Sequence, residues 1–291
     1  MKHLSHMRYP GDDGWLGLAI TSKKDNVDAL QKNAWDLARR YPAYASHIAN
    51  SANPPPPSQF GGIKNLMADF YENPPSELEK RLITRRREHQ LRECPYCGSP
   101  GMPDTLDHFM PKDDWPEFAI YPNNLVPQCR ACMPIKGHRY YCTTKNDTLF
   151  LHPIYHEMLA QLGFRIDIAL YQGVPVFAIK FTVLQPLSAT EKKRLEVHIE
   201  ELQLRERITQ FCQREYGIWK NEISEHSFSV VKTLGYSLRR YPAFKVGAAP
   251  NWAAAFYKGA LQNRRFLRHL ASFAPLAPAP AVAEPFDELT C

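Results

Sequence analysis

The sequence lacks the features that mark several large classes of protein. It has no run of eighteen apolar residues, so a membrane-spanning helix is not expected. No apolar stretch follows the positive charges at its beginning, which argues against a secretory signal and leaves the cytoplasm as the expected location. Three common catalytic motifs are also missing: the G-x-x-x-x-G-K-[ST] phosphate loop, the G-x-S-x-G nucleophile motif and the H-E-x-x-H zinc motif.

The composition is that of an ordinary globular chain. Hydrophobic residues make up 44% of the sequence and charged residues 23%, which excludes a collagen-like or wholly disordered protein. The formal net charge is +6, and because this excess is spread over 291 residues it favours an anionic partner only weakly. A chain of this length is expected to form one large domain with appendages or two smaller domains.

The seven cysteines are unevenly placed. Their odd number, in a chain without a recognisable secretory signal, argues against a framework of disulfides. Four of them form two C-x-x-C pairs, Cys94 with Cys97 and Cys129 with Cys132. Two such pairs suit the tetrahedral coordination of a structural zinc ion, and the alternative is a set of unrelated buried thiols. The other three are expected to be free thiols: Cys142, Cys212 and Cys291.

The pattern of apolar residues and helix breakers predicts an α+β protein that is mainly helical. Residues 1–93 are expected to form a mainly helical region with the prolines at 54–57 as a connector. The cysteine-bearing block, 94–142, is expected to contain short strands, and 143–273 a β-hairpin followed by helices. Residues 274–291 are rich in Ala and Pro and are expected to be disordered.

Local signals place individual elements in these regions. Helical spacing and capping motifs predict four helical segments: 25–40, 76–93, 188–224 and 252–273. Ser76 and Ser188 each have a glutamate three residues later, which is the capping-box pattern. Apolar alternation on both sides of a turn at 171–173 predicts a hairpin of 164–170 with 174–184.

The segment between the cysteine pairs contains an Asp and a His in succession, Asp107-His108. Asp offers a hard oxygen for Mg²⁺ or Mn²⁺, and His titrates near neutral pH and can take a proton from water. Because successive side chains on a strand point to opposite faces, the two can serve one site only where the chain bends, as Pro111 indicates. By itself such a dipeptide is more often structural.

The motifs follow a fixed order: C-x-x-C, L-D-H-x-x-P-K, N-L-x-x-x-C-x-x-C and then K-G. Over Cys94–Arg139, about 45 of the 291 residues, this order and spacing resemble those of the zinc-bound HNH endonucleases. The active unit of that family is a ββα-metal fold. The resemblance therefore implies a zinc-bound ββα-metal module inside the mainly helical protein, and a divalent-metal-dependent endonuclease with DNA as the expected substrate.

The resemblance also implies a role for each matching residue. Asp107 would bind the catalytic Mg²⁺ or Mn²⁺, and His108 would be the general base that activates the attacking water. Asn124 would hold the loop between the two strands so that His108 is correctly aimed. The cysteines would bind the structural zinc ion: Cys94, Cys97, Cys129 and Cys132.

One position departs from the family pattern. The residue directly after the last cysteine of the second pair is Met133, where the family usually has an Asn or His that completes the catalytic metal site. A thioether is a soft donor and a poor ligand for Mg²⁺, so His138 is a candidate replacement. The alternative hypothesis is a catalytically weakened or inactive module that binds nucleic acid or a protein partner.

Several basic side chains near the motif are expected to contact phosphates: Lys112, Lys136, His138 and Arg139. The basic residues of the 76–93 segment fit phosphate contact and a solvated face equally well, because glutamates are interleaved with them. The family resemblance suggests a role in a defence or restriction system. The helical C-terminal region is a candidate for binding a protein partner such as an ATPase subunit.

Overall fold

Helices lie on both sides of a β-rich centre and account for nearly half of the chain. The structure is a computed structural model that describes residues 1–10, 14–226 and 228–275. Its helices are α1 (Gly14–Ile20), α2 (Val27–Gln31), α3 (Ala34–Ala38), α4 (Tyr44–Ala49), α5 (Lys64–Glu72), α6 (Ser76–Arg87), α7 (Met133–Lys136), α8 (Ala189–Glu201), α9 (Leu204–Glu225), α10 (Val230–Leu238), α11 (Trp252–Gln262) and α12 (Arg264–Ala271). Its strands are β1 (Thr105–His108), β2 (Leu125–Gln128), β3 (Tyr141–Cys142), β4 (Asp147–Thr148), β5 (Leu162–Tyr171) and β6 (Val174–Val183).

This composition confirms an α+β protein that is mainly helical. The strands pair into three antiparallel hairpins, β1 with β2, β3 with β4 and β5 with β6. Within the described ranges, no helix combines the length and apolar character that crossing a membrane requires.

Three of the predicted helical segments are each divided into two helices. The segment predicted over 25–40 forms α2 and α3. Between α8 and α9, Gln203 adopts a left-handed backbone with φ of 52°, which interrupts the helical hydrogen bonding. Between α11 and α12, Asn263 is extended, and its side-chain oxygen accepts a hydrogen bond from the amide of Phe266 at 2.9 Å. Gln203 ends α8, and Asn263 caps the start of α12. Helical spacing alone does not predict either interruption.

The two predicted capping boxes have different outcomes. Ser188 accepts from the amide of Glu191, whose carboxylate accepts in return from the Ser188 amide, so this box is confirmed. Ser76 is instead the first residue of α6, the extended Pro75 precedes it, and no side-chain capping bond forms. Helix α6 ends at Arg87 rather than at 93, and a left-handed Gln90 (φ 54°) follows.

The hairpin of β5 and β6 confirms the hairpin predicted from the alternation of apolar residues. Gln172 and Gly173 form its two-residue turn, with φ of 49° and 79°. Positive φ at both turn residues matches the right-handed twist of the strands, and Gly adopts it without steric cost. Its inward face is buried and contacts α11, so the hairpin and the C-terminal helices share one core.

At the centre of the chain the order of elements is strand, strand, helix. In the antiparallel pair, His108 of β1 lies opposite Leu125 of β2, and the single-turn helix α7 begins directly after Cys132. One continuous cluster of buried side chains extends from the N-terminal helices through this centre to α12. The domain boundaries at 93, 142 and 273 stay a prediction, and residues 276–291 of the predicted disordered tail lie outside the described residues.

Candidate zinc centre and active site

Two tight turns bring the four cysteines of the C-x-x-C pairs together. Their Sγ atoms all lie within 4.8 Å of one another, and the Sγ atoms of Cys97 and Cys129 are 3.7 Å apart. A tetrahedral zinc ion with Zn–S bonds of about 2.3 Å requires sulfurs roughly 3.8 Å apart. The donor set and its spacing therefore fit a structural zinc ion with no open position, held by Cys94, Cys97, Cys129 and Cys132.

Local backbone geometry explains why the first turn closes. The amide of Gly98 donates to the carbonyl of Cys94 at 2.8 Å, and Gly98 has φ of 73°. A side chain at this position would also lie 2.8 Å from the ring of Phe164, so only glycine fits. In the second turn the amide of Cys132 donates to the carbonyl of Cys129 at 2.9 Å, and α7 continues from it.

The C-terminal helices supply further contacts to this centre. The guanidinium of Arg207, on α9, donates to the Sγ of Cys132 at 3.5 Å and to that of Cys97 at 3.8 Å. It also stacks over the ring of Trp252, at 5.5 Å, and the Trp252 indole donates to the carbonyl of Cys97 at 2.7 Å. A donor to metal-bound thiolates reduces their negative charge, so Arg207 would stabilise a zinc ion held by these sulfurs.

The remaining described cysteines lie apart from this cluster. Cys212 is buried in α9, and Cys142 is half-buried with its sulfur 3.0 Å from the hydroxyl of Thr144. Both are free, as the sequence predicted, and Cys291 lies outside the described residues.

His108 ends β1 with its imidazole ring held in one orientation. Its Nε2 lies 2.9 Å from the carbonyl oxygen of Ala119, so Nε2 carries the proton and Nδ1 is left as the acceptor. The ring of Tyr71 packs edge-on against it, with 4.3 Å between centroids. Burial lowers the pKa of His108 to about 3, and the charges of Lys112 and Lys136 act in the same direction. The ring is therefore neutral at physiological pH, and its low pKa makes it a weaker base than a free imidazole.

Asn124 fixes the loop that supplies this carbonyl. Its side-chain nitrogen donates to the carbonyls of Met110 and Phe118, at 3.0 and 3.1 Å, and its oxygen accepts from the Met110 amide at 2.8 Å. The hydroxyl of Tyr44 donates to the same oxygen at 2.8 Å. Because Phe118 precedes Ala119, these bonds hold in place the Ala119 carbonyl that accepts from the His108 ring.

Both carboxylate oxygens of Asp107 contact buried side chains. Its side chain is 8% exposed; Oδ2 accepts from the hydroxyl of Tyr96 at 2.6 Å, and Oδ1 lies 3.0 Å from the ammonium of Lys136. Lys136 is fully buried and donates also to the carbonyls of His108 and Phe109, at 3.1 and 3.2 Å. A buried ion pair with these additional hydrogen bonds is costly to break, because either charge left alone would be desolvated.

This arrangement bears on the predicted catalytic metal. Both oxygens of Asp107 already have partners, and one partner is itself a cation. Met133 is half-exposed at the start of α7 and offers only a thioether, and Nδ1 of His138 lies 3.2 Å from a carboxylate oxygen of Asp113. As arranged, these residues do not fit a bound Mg²⁺ or Mn²⁺, and the catalytic metal site stays a prediction.

The predicted phosphate-binding residues have varied surroundings. Lys112 is mostly buried at 21% exposure and pairs with Glu72 at 2.8 Å, and the exposed His138 faces Asp113. Arg139 pairs with Glu201, on α8, at 2.6 Å. The prediction that Lys136 contacts a phosphate needs correction. Its ammonium is buried beside Asp107 and is not accessible to a phosphate.

Several residues of this region were not anticipated from the sequence. Tyr96 lies inside the first C-x-x-C turn, where its neighbours could have drawn attention to it. Tyr71 and Arg207 carry no local signal, because each reaches the site from a distant helix. The Ala119 carbonyl is a backbone group and has no residue-type signature.

Comparison with known proteins finds a short region of similarity. The chain is 50% identical over 40 residues to "Protein ea31" of Escherichia phage lambda. This alignment covers 14% of the present chain and 14% of the phage protein, so the two are matched over a small part of their lengths. No family model matches the chain, and no solved structure matches it.

We expect the purified protein to hold one zinc ion per chain, measured by elemental analysis. Cys129→Ser should lose that ion and unfold at a markedly lower temperature, because structural zinc contributes folding free energy directly. Cys142→Ser is the matched control and should keep the metal. Equal zinc content in the two variants would show that the four sulfurs are not its ligands.

The buried ion pair predicts a strong coupling between two substitutions. Lys136→Met leaves the charge of Asp107 without its partner and should lower the free energy of unfolding by about 3–5 kcal/mol in urea denaturation. Adding Asp107→Asn removes that charge and should recover part of the loss. Strictly additive effects of the two substitutions would contradict the pairing.

Proposed function

We propose that this protein hydrolyses phosphodiester bonds in nucleic acid, with DNA as the expected substrate, and that His108 is its general base. The observation that carries the proposal is the state of the imidazole. Its Nε2–H donates a hydrogen bond to the carbonyl of Ala119, and its Nδ1 has no hydrogen-bond partner among the described residues. A neutral, oriented and partly buried imidazole with an unprotonated Nδ1 supports a role as the group that abstracts a proton from water.

The surrounding framework supports an HNH-type module. A strand that ends in His108, a returning strand and a short helix follow one another between and after the two cysteine pairs. Asn124 fixes the intervening loop, which is the role that the resemblance assigns to it. The cysteine cluster connects the turn before the first strand to the turn before the helix.

In the proposed reaction, Nδ1 of His108 takes a proton from a water molecule, and the resulting hydroxide attacks the phosphorus. The bond to the leaving oxygen breaks, and that oxygen takes a proton from solvent. The positive charge of Lys112, close enough to lower the pKa of His108, favours the negative charge of the phosphate there. A divalent cation would add charge stabilisation of the transition state, and no step above depends on one.

A second candidate function is favoured by the environment of Asp107. Its carboxylate is neutralised by Lys136, and Met133 replaces a hard ligand on the surface. Under this alternative the module keeps its shape and binds nucleic acid or a protein partner without cutting. The defence role and an ATPase subunit as partner stay predictions under either candidate.

Removal of the His108 imidazole should abolish most of the cleavage. We expect His108→Ala to cut supercoiled plasmid at least about 100-fold more slowly than the wild type, because no other group replaces the base. His226→Ala, at an exposed histidine beyond α9, is the matched control. Reactions run with Mg²⁺, with Mn²⁺ and with EDTA measure the metal requirement. Equal cutting by the wild type and His108→Ala would reject the proposed base, and no cutting by the wild type would favour the second candidate.

Met133→Asn tests whether the thioether weakens a metal site. An amide oxygen is a harder donor, but Asp107 is already paired with Lys136, so we expect this variant to bind Mn²⁺ no more tightly than the wild type in titration calorimetry. Tighter binding would show that residue 133 is a metal position. Met133→Leu keeps the size without a hard donor and should show no gain. Equal affinity of the Asn and Leu variants would indicate that Asp107 remains with Lys136 and that residue 133 is not a metal position.

A further inference from the structure

The positive charge of this protein is concentrated in one part of its sequence. Residues 226–275 carry eight Lys or Arg residues and no Asp or Glu, whereas residues 1–225 carry 28 basic and 27 acidic residues. Residues 276–291 carry three acidic residues and no basic one, which brings the net charge to +6. The positive excess therefore originates almost entirely in the segment that forms α10, α11 and α12. The basic residues are Lys232, Arg239, Arg240, Lys245, Lys258, Arg264, Arg265 and Arg268.

Three of these residues form one surface on α12. Arg264, Arg265 and Arg268 are related by helical spacings of three and four, so their side chains lie on the same side of the helix. All three are exposed. In the part of the chain that the structure describes, none of them forms an ion pair with a carboxylate. We call this surface the arginine face.

The opposite side of α12 holds the helix firmly on the protein. Phe266 and Leu270 are fully buried, and the ring nitrogen of His269 lies 2.8 Å from the hydroxyl of Tyr216 on α9. The apolar side of the helix is therefore unavailable for insertion into a lipid bilayer, which distinguishes α12 from a membrane-surface helix. What remains exposed is a fixed set of guanidinium groups.

We infer that the arginine face binds the phosphate backbone of double-stranded DNA. Guanidinium groups match phosphate oxygens geometrically and keep their charge at all physiological pH values. Three arginines on one helix, without a carboxylate partner among the described residues, are complementary to a linear array of phosphates. The inference rests on the proposed function only in taking nucleic acid as the ligand, and it holds whether or not the DNA is cut.

The test compares two triple substitutions that remove the same charge. The first is Arg264→Gln, Arg265→Gln and Arg268→Gln on the arginine face. The control is Lys80→Gln, Arg81→Gln and Arg87→Gln, all exposed on α6, where glutamates are interleaved. Each is made in the full chain and titrated against a fluorescein-labelled duplex of mixed sequence, in EDTA, over a range of KCl concentrations.

The arginine-face variant should lose about 2–3 units of the slope of log K against log salt concentration, and its affinity at 0.1 M salt should fall by roughly a hundredfold. The α6 control should change both quantities much less. Equal losses in the two variants, or an unchanged slope in the first, would overturn the inference. Wild-type binding to vesicles with anionic lipid but not to the duplex would overturn it as well.

Plasmid cleavage separates this inference from the proposed function. If the wild type and His108→Ala both bind the duplex and neither cuts, while the arginine-face variant loses binding, the proposed base fails and the inference stands. If the wild type cuts and the arginine-face variant binds and cuts equally well, the proposed function stands and the DNA is held elsewhere.

Discussion

The four sulfurs of the C-x-x-C pairs lie within 4.8 Å of one another, and as thiolates they would repel each other strongly unless a cation lay between them. This constraint governs the centre of the molecule. The cluster holds the turn that precedes β1 against the turn that begins α7. Arg207, on α9, donates to two of its sulfurs, and the indole of Trp252, on α11, donates to the carbonyl of Cys97. The small hairpin of β1 and β2 is too short to be stable alone, and the cluster provides the support that its own apolar contacts cannot.

Two neighbouring side chains on β1 illustrate what this support permits. His108 and Asp107 point to opposite faces of the strand, as the alternation of a strand requires, and they meet different environments. The imidazole contacts a loop carbonyl and an aromatic ring on the accessible side. The carboxylate contacts a phenol and an ammonium in the interior. The imidazole is therefore neutral and held in one orientation, and the carboxylate is part of a buried ion pair that stabilises the centre.

Much of the fold and part of the site could be predicted from the sequence, for local reasons. The cysteine spacing, the turn at Gln172-Gly173 and the Ser188 capping box are each determined by a few adjacent residues. The break at Gln203 depends on how α8 and α9 pack, which is not encoded in their spacing. The burial of Lys136 likewise arises from the meeting of α7 and β1, and a lysine in a sequence gives no sign that its ammonium will be enclosed. The pairing of Lys136 with Asp107 joins residues that are distant in sequence, so it becomes visible only in the folded chain.

The contact between Arg207 and the cysteine sulfurs links two distant parts of the chain. Thiolates are the atoms in this centre most readily oxidised, and a sulfenic acid or disulfide no longer binds metal. Oxidation would remove the anionic partner of the Arg207 guanidinium and with it one attachment of α9, against which α12 packs. The redox state of these sulfurs would thus bear, through Arg207, on how firmly α9 is attached to the centre.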